Sequence, residues 1–570
     1  MEKSSVCKKE TQVSHRPKLN LVLDDGSVKK KVLHAFQNGS DYDDSTISIS
    51  GYPFTHGVIK NFVTDGTSKA TKNPQTTDSK FLQSLKSELL NLEFNEKSND
   101  LFKFVQSNEL MLDNEDPADS SIFQPRKNVN QLCSLFRDSM LPWIREITGV
   151  ELNDTIDMFC AQYKKTDVLL CHDDELEDRR IAYIFYLTDD WSEKDGGTLD
   201  LFSVDESGDP DMIMKSLVPS FNTLVFFDVS PISYHQVSEI LAENKVRLSL
   251  SGWFHGSPLP RPIRPLTSKC PAITFLPAQQ DLDLLSQWIN PGYLSIETQG
   301  TIQEQFEGSS EIQLPGFLVS DKYKELSESM LHLSKYDQFW TSHGPPNRRK
   351  YEAIKFDQDF EISENDVVYS PEKPENSSAG ADIDESKKLQ ISVKTMEAYN
   401  LINDFIRLFC SEEMFLYLSN ITGLYFHPMA ANIDDTGSDV TDDVTDPIPA
   451  KRTKSSDKKS ENVAGLNSKC RYEVRCWSKG CYTLLRDTDS ERGEFALDVN
   501  LHCCAEGWQQ DYGGYTTYIA QGEDTELLTV LPSSNCLSLA YRDSEALRFV
   551  KHVNHKAPKP YFDISFVYCE

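Results

Sequence analysis

No stretch of this chain is apolar for long enough to cross a bilayer, which takes about 20 consecutive apolar residues as a helix. The opening residues, MEKSSVCKKE, lack the apolar core of a signal peptide. A soluble, intracellular protein with no membrane partner is expected. Basic charge is also scarce: 58 Lys and Arg stand against 89 Asp and Glu, a formal net charge of -31. Phosphate binding needs clustered Lys and Arg, so a nucleic-acid-binding surface spread over the chain is excluded and no direct nucleic-acid partner is expected. The acidic excess suits solubility, or a basic partner drawn in by opposite charge. Metal-binding cysteine patterns are missing too. Cys470, Cys476 and Cys481 have the wrong spacing for a zinc ribbon, and Cys503-Cys504 lacks a CxxC partner. The 13 cysteines are scattered over a long chain without a secretory signal and read as reduced thiols. For the same reason the acceptor pattern Asn420-Ile421-Thr422 is expected to go unused.

At 570 residues the chain exceeds one ordinary core, so two or more domains are expected. Residues 1–45 are polar, include the run Lys29-Lys30-Lys31, and read as a flexible N-terminal arm. Helical spacing follows at Phe81, Leu82, Leu85, Leu89 and Leu92, and again over 129–147. From Met158 the texture changes to short β-type runs: DMFCAQY, DVLLCHD, RRIAYIFYLTDDW, GGTLDLFSV, NTLVFFDV, YHQVSEI and RLSLSGWFHG. Successive strands without intervening helices predict an antiparallel sandwich or barrel rather than a βαβ fold. A proline-rich linker over 258–269 then separates a first domain, 46–257, from a second, 270–570. Two acidic, Ser-rich insertions near 362–388 and 432–466 have too few apolar residues to offset ordering and are expected to be disordered. The cluster Lys451-Arg452-Thr453-Lys454 with Lys458-Lys459 reads equally as a nuclear localisation signal or a solvated charged loop.

The two halves repeat one order of segments. LLCHDD, Gly196-Gly197, LVPSFNTLVFF, SYHQV and RLSLSGWF are followed by LLRDTD, Gly513-Gly514, VLPSSNCLSLAY, FVKHV and YFDISFVY. A fixed-order repeat of this size indicates a duplicated domain.

The first copy carries a candidate metal site. Residues two apart on a strand share a face, so His172 and Asp174 offer one imidazole and one carboxylate side by side. His235, in SYHQV, supplies a third ligand from a distant strand. Two His and one carboxylate on one face of an octahedron leave three positions open. That suits non-haem Fe(II) enzymes, which bind a bidentate 2-oxo acid and dioxygen. Twelve residues on comes Arg247, whose guanidinium can grip the distal carboxylate of 2-oxoglutarate through two parallel hydrogen bonds. Ser249 shares its face, and Tyr186 and Tyr163 are candidate phenol donors to the same carboxylate. A lone His-x-Asp is common by chance; the ordered set within β-type sequence is what points to chemistry.

HDDELEDRRIAYIFYLTDDW, with GGTLDLFSVDE, NTLVFFDVSPISYHQVSEIL and RLSLSGWFHG, resembles the prolyl 3-hydroxylase family that modifies a small-subunit ribosomal protein. The resemblance covers most of 150–256 and, more weakly, the C-terminal half. It implies a mainly β fold with flanking helices, made of two tandem double-stranded β-helix (jelly-roll) domains of which the first is catalytic. It implies iron ligands His172, Asp174 and His235, and cosubstrate contacts Tyr186 and Arg247. The expected substrate is C3 of a proline in a basic ribosomal protein of the decoding centre, affecting translation, with L-ascorbate as an auxiliary. Such a target is met in nucleus and cytoplasm alike. The alternatives are another protein, RNA or small-molecule substrate, with Trp253 as a base-stacking ring, or a non-catalytic jelly-roll scaffold. In the second copy Asp487 and Asp489 fall opposite His172 and Asp174, Tyr561 opposite Arg247, and His552 near the third ligand. That copy is therefore expected to hold neither iron nor 2-oxoglutarate.

Overall fold

A computed structural model describes residues 17–64, 80–110, 126–174, 178–260, 262, 273–274, 284–356, 360–363, 389–430, 468–487, 495–523 and 525–569. The segments 364–388 and 432–466 of the acidic insertions, the basic cluster at 451–459, Asp489 and most of the proline-rich linker lie outside the described residues. The chain divides into two compact units: Met1–Pro265 with Gly344–Arg348, and Leu266–His343 with Arg349–Glu570.

The first unit is built on a 14-stranded sheet whose described pairings are antiparallel. Arg247–Gly256 runs through its middle, between Phe159–Tyr163 and Arg179–Tyr186. The alternation read from the sequence sets the faces. Ile181, Tyr183, Phe185, Leu248, Leu250 and Phe254 point outward into a core closed by the helices Gly26–Asn38, Lys80–Leu90, Lys127–Leu135 and Leu141–Thr148. Ala182, Ile184, Tyr186, Leu199, Leu201, Val225 and Phe227 form a second cluster on the inner side.

The expected N-terminal arm is corrected for residues 17–45. Asp25 caps a helix over Gly26–Asn38 by accepting from the backbone N–H groups of Ser27 and Val28, and Gly39 ends it at φ 59°. Val32, Ala35 and Phe36 are buried on one side of it, Lys30 and Lys31 lie on the solvent face, and half-buried Lys29 pairs with Glu146 at 2.8 Å, as in an amphipathic helix. Residues 1–16 lie outside the described residues. The sequence reading also passed over the strand Pro210–Leu217, whose MIM run is exposed rather than alternating.

The second unit has a nine-stranded sheet, with Tyr561–Cys569 between Lys469–Trp477 and Ala496–Cys503, and a separate three-stranded sheet containing Thr516–Ala520 and Ala546–Val550. Its larger core joins Phe562, Ile564, Phe566 and Tyr568 to the helices Ser320–Leu333, Val393–Phe409 and Glu412–Thr422.

Candidate metal centre and cosubstrate pocket

His172 closes the strand Val168–His172, where it pairs directly with His235 of the neighbouring strand. The imidazole centroids lie 4.3 Å apart. Each ring is held from behind at a fixed angle: Nδ1 of His172 is 2.8 Å from the carbonyl oxygen of Leu170, and Nδ1 of His235 is 2.9 Å from that of Ser233. A carbonyl only accepts, so Nδ1 carries the proton and Nε2 keeps its lone pair for a metal. Both Nε2 atoms face the Asp174 carboxylate, at 3.3 Å from His172 and 3.4 Å from His235. One donor atom from each of the three residues lies within 4.8 Å of the others, the arrangement a divalent ion needs.

Asp174 reaches this position by a route that strand alternation does not describe. The strand ends at His172, and Asp174 adopts φ 58°. This left-handed turn, which Asp tolerates better than most residues, swings its carboxylate back over the imidazoles. Burial opposes the charge on Asp174, but the neighbouring imidazoles outweigh it and hold the carboxyl well below its ordinary range. His172 is raised: burial works against protonation, and the Asp174 hydrogen bond and charge overcome it. Phe227 sits edge-on to the His235 ring at 4.7 Å and walls that side from water.

Arg247 begins its strand in an almost completely buried position, 1% exposed. Nε donates to the carbonyl of Gly197 at 2.8 Å, and the other nitrogens reach the Tyr186 hydroxyl at 3.3 Å and the Ser249 hydroxyl at 3.4 Å. The rings of Tyr163 and Tyr186 flank the guanidinium with centroids at 5.0 and 5.1 Å. Strand register brings these residues together, since Arg247 pairs with Tyr163 and Ser249 with Tyr186. No carboxylate among the described residues pairs with this buried cation. A buried charge held only by neutral groups is costly unless an anion joins it, so the pocket fits a dicarboxylate such as 2-oxoglutarate. The residues predicted from sequence thus converge on one inner face.

Two further residues were not singled out from sequence as a pair. The Arg179 guanidinium lies over the Trp253 ring, 3.4 Å from its centroid. Burial lowers the Arg179 pKa while the Asp174 charge draws it up, so this cation belongs to the electrostatics of the metal centre. The Trp253 Nε1–H is buried without a hydrogen-bond partner. Trp253 was weighed as a base-stacking ring; a guanidinium already lies over that ring. Its signal was available, because Trp253 is six residues after Arg247 and shares its strand face.

In the second unit equivalent positions can be counted from matched hydrogen bonds. Trp191 Nε1 donates to Gly196 at 2.7 Å, and Trp508 Nε1 to Gly513 at 2.8 Å. The Tyr561 hydroxyl donates to the carbonyl of Gly514 as Arg247 does to that of Gly197. Tyr561 therefore stands at the Arg247 position, as the sequence repeat suggested. Two other expectations are corrected. Leu199 pairs with Val237 and Leu201 with His235, whereas Thr516 pairs with Val550 and Tyr518 with Arg548. Counting from the paired glycines, Arg548 occupies the His235 position, and His552 lies four residues beyond it. At the other end, Ile240 donates to the carbonyl of Asp167 and Val553 to that of Cys481, which counts Arg486 rather than Asp487 opposite His172. Asp487 is instead buried in an ion pair with Arg349 at 2.7 Å. The hydrophobic texture of the segment is nearly unchanged by a shift of one residue, so the repeat order alone does not separate Arg486 from Asp487.

Metal-ligand geometry beside a buried guanidinium defines a class, the 2-oxoglutarate- and iron-dependent oxygenases. The family model described as 2OG-Fe(II) oxygenase superfamily matches residues 158–255, and that described as oxoglutarate and iron-dependent oxygenase degradation C-term matches residues 280–569. The chain is 38% identical to prolyl 3-hydroxylase OGFOD1 of Xenopus laevis, over 97% of this chain and 96% of that one. It is also 38% identical to prolyl 3-hydroxylase OGFOD1 of Mus musculus, over 95% and 94% of the two chains. A solved prolyl hydroxylase from Trichoplax adhaerens, in complex with a hypoxia inducible factor peptide fragment, is 15% identical over 41% of this chain and 92% of that one, with a TM-score of 0.30. The chain belongs to the prolyl 3-hydroxylase family, and it is a 2-oxoglutarate-dependent dioxygenase acting on peptidyl proline.

Proposed function

We propose that this enzyme hydroxylates C3 of a proline in a basic protein of the small ribosomal subunit, at the decoding centre, and so affects translation. In this reading His172, Asp174 and His235 hold Fe(II), and Arg247, Tyr186, Tyr163 and Ser249 hold 2-oxoglutarate. One observation carries the site assignment: a buried guanidinium with neutral partners only, beside two imidazoles and a carboxylate whose donor atoms converge. The names of the relatives support the proline, and the net charge of -31 favours a basic chain.

Bound iron, with 2-oxoglutarate and dioxygen, supplies the oxidation, in which the oxo acid becomes succinate and carbon dioxide and one oxygen atom enters a C–H bond. The protein's part is positioning. Leu170 and Ser233 carbonyls fix the imidazoles so that both Nε2 atoms face inward. The Arg247 guanidinium takes the far carboxylate of the cosubstrate, and the Tyr186 and Ser249 hydroxyls complete its hydrogen bonds. Phe227 keeps water from His235, and the Trp253 indole N–H, buried beside Arg179 and without a hydrogen-bond partner, is free to donate to a substrate carbonyl. L-ascorbate would serve as the auxiliary reductant for iron held by His172, Asp174 and His235.

The second unit is read as a non-catalytic jelly-roll copy. Its inner face is filled by its own ion pairs. Arg475 grips Asp563, at the Ser249 position, through bonds of 2.9 and 2.6 Å, and Arg548 pairs with buried Asp498. A guanidinium thus replaces a metal ligand, and a built-in carboxylate takes the place of a hydroxyl that would serve a cosubstrate.

Succinate release from 2-oxoglutarate with Fe(II) tests the site. We expect His172→Ala and Arg247→Ala to abolish it, and turnover unaffected by His172→Ala rejects the metal assignment. Mass spectrometry of small-subunit ribosomal proteins from cells lacking this chain tests the substrate. Unchanged prolyl hydroxylation there rejects the ribosomal target.

A further inference from the structure

The two metal-ligand histidines lie on a transverse row of the first sheet that runs to an open edge. His172 pairs with His235, His235 with Leu201, and Leu201 with Lys215 on the strand Pro210–Leu217. That strand ends the order of the sheet, with no further strand beside it among the described residues. Its chemistry is unusual for an edge. Asp211, Met212, Ile213 and Met214 are all exposed, and the three apolar side chains are 60%, 44% and 41% accessible. Soluble proteins guard such edges with lysine, proline or a covering element, because unpaired backbone groups beside apolar side chains recruit another strand. Here Pro210 stands only at the start, and the Lys215 ammonium is turned onto His56 Nε2 at 3.0 Å. Over 211–214 the guards are Asp211 and the irregular register opposite Leu201–Val204, where the Ser203 hydroxyl bonds both the N–H and the carbonyl of Met212; the apolar side chains themselves stay uncovered. Methionines, being unbranched and adaptable, suit contact with more than one side-chain shape.

Charge says which partner fits. The turn leading into the strand reads Asp205-Glu206-Ser207-Gly208-Asp209-Pro210-Asp211, four carboxylates against no basic residue. An extended segment lying along the edge meets apolar side chains in its middle and anionic ones at one end. The matching ligand is a β-forming stretch of a basic polypeptide.

We propose that the strand Pro210–Leu217 docks a basic, extended segment of the protein substrate by strand addition, outside the catalytic pocket. Main-chain hydrogen bonds supply the affinity, the methionines and Ile213 supply apolar contact, and the acidic turn selects Lys and Arg. Strands lie about 4.8 Å apart, so the added strand runs about 14 Å from the His235 strand. At about 3.4 Å per residue, roughly four extended residues bridge that gap to a proline at the iron site. The inference rests on the reading of a basic protein substrate given above.

Two synthetic 12-residue peptides serve as probes, one alternating Val with Lys and the other Val with Glu. Binding to the full chain is followed by fluorescence anisotropy, and its place by amide hydrogen exchange. We expect the lysine peptide to bind and to slow exchange across 211–216, the glutamate peptide to do neither, and Met212→Lys/Met214→Lys and Ile213→Pro each to weaken binding at least tenfold. Succinate formation without a protein substrate should be unchanged in the methionine double variant, which shows that the fold is intact. His172→Ala should bind the lysine peptide as the wild type does, so failure of docking and failure of the iron assignment read out separately. Equal binding of the two peptides, unchanged affinity in the methionine double variant, or protection elsewhere overturns the proposal. A concentration-dependent dimer in sedimentation that Met212→Lys/Met214→Lys abolishes also overturns it, by giving the edge to a second copy of the chain.

Discussion

Arg247 carries its charge in a place where only neutral atoms meet it, and that imbalance makes its contribution measurable. A lysine keeps the charge but loses the planar fork that holds a carboxylate at two points. Arg247→Lys is expected to raise KM for 2-oxoglutarate at least about 30-fold, a loss of about 2 kcal/mol. Succinate formation against cosubstrate concentration checks this. The candidate metal ligands predict a pH dependence. His172 is raised above its unfolded value, so in the metal-free protein its contribution is complete below about pH 6.5 and fades as pH rises through the raised value. Asp174 is lowered, so its contribution persists until pH falls through the depressed value. A metal competes with the proton on Nε2, so stabilisation by added Mn(II) should grow as pH rises above about 6.5 through the raised value and that proton leaves. Melting temperatures with and without metal across that range test it; a metal-induced shift that shrinks with pH contradicts it. At this scale the identities of His172, Asp174, His235 and Arg247 were legible, because few residue types perform this chemistry. The conformation of Asp174 was not, since φ 58° follows from where the chain must turn rather than from local preference.

Among the elements, the turn ending in Gly196-Gly197 is the most exacting. Gly197 has φ 65°, and a Cβ there would lie 2.4 Å from Ile240 Cδ1 and 3.0 Å from Arg247 Cδ. Gly197→Ala should therefore displace the guanidinium. Left-handed backbone costs a residue with a side chain about 1 kcal/mol. The expected outcome is a KM for 2-oxoglutarate several-fold higher with a melting point only a few degrees lower, by cosubstrate titration and calorimetry. The same turn shows how much the sequence held. WSEKDGG and WQQDYGG keep Trp five residues before the first Gly, and each Trp bonds the carbonyl of that Gly. That spacing was a sharper guide to the repeat than the hydrophobic texture, and it would have kept His552 from the third-ligand position. Strands with one buried face were readable by alternation; Pro210–Leu217 was not, because both its faces meet solvent over 211–214.

The whole molecule sets two unlike interiors on a similar strand register. In the first unit polar groups surround a space that suits an ion and a dicarboxylate; in the second they neutralise one another. Breaking a buried pair strands a charge, so Arg475→Ala should destabilise the protein by about 3–5 kcal/mol, read by denaturant unfolding of the second unit's transition. Iron content should remain near one per chain in that variant and fall to nearly none in His172→Ala, by elemental analysis. Iron near two per chain would reject the reading of the second unit.

By itself, the sequence determined the chemistry and the β class. Ligand types, their order along the chain and the alternation of Arg247, Ser249 and Ser251 are local properties, written in residue identity and a period of two. Tertiary structure decided what depends on pairing between distant strands. It brought Tyr163 and Tyr186 around Arg247, put Arg548 rather than His552 at the His235 position, and left Pro210–Leu217 at an edge. A shift of one residue in register turns a strand's side chains to the opposite face while hardly changing its composition, so those outcomes lay in the pairing of strands and not in any segment alone.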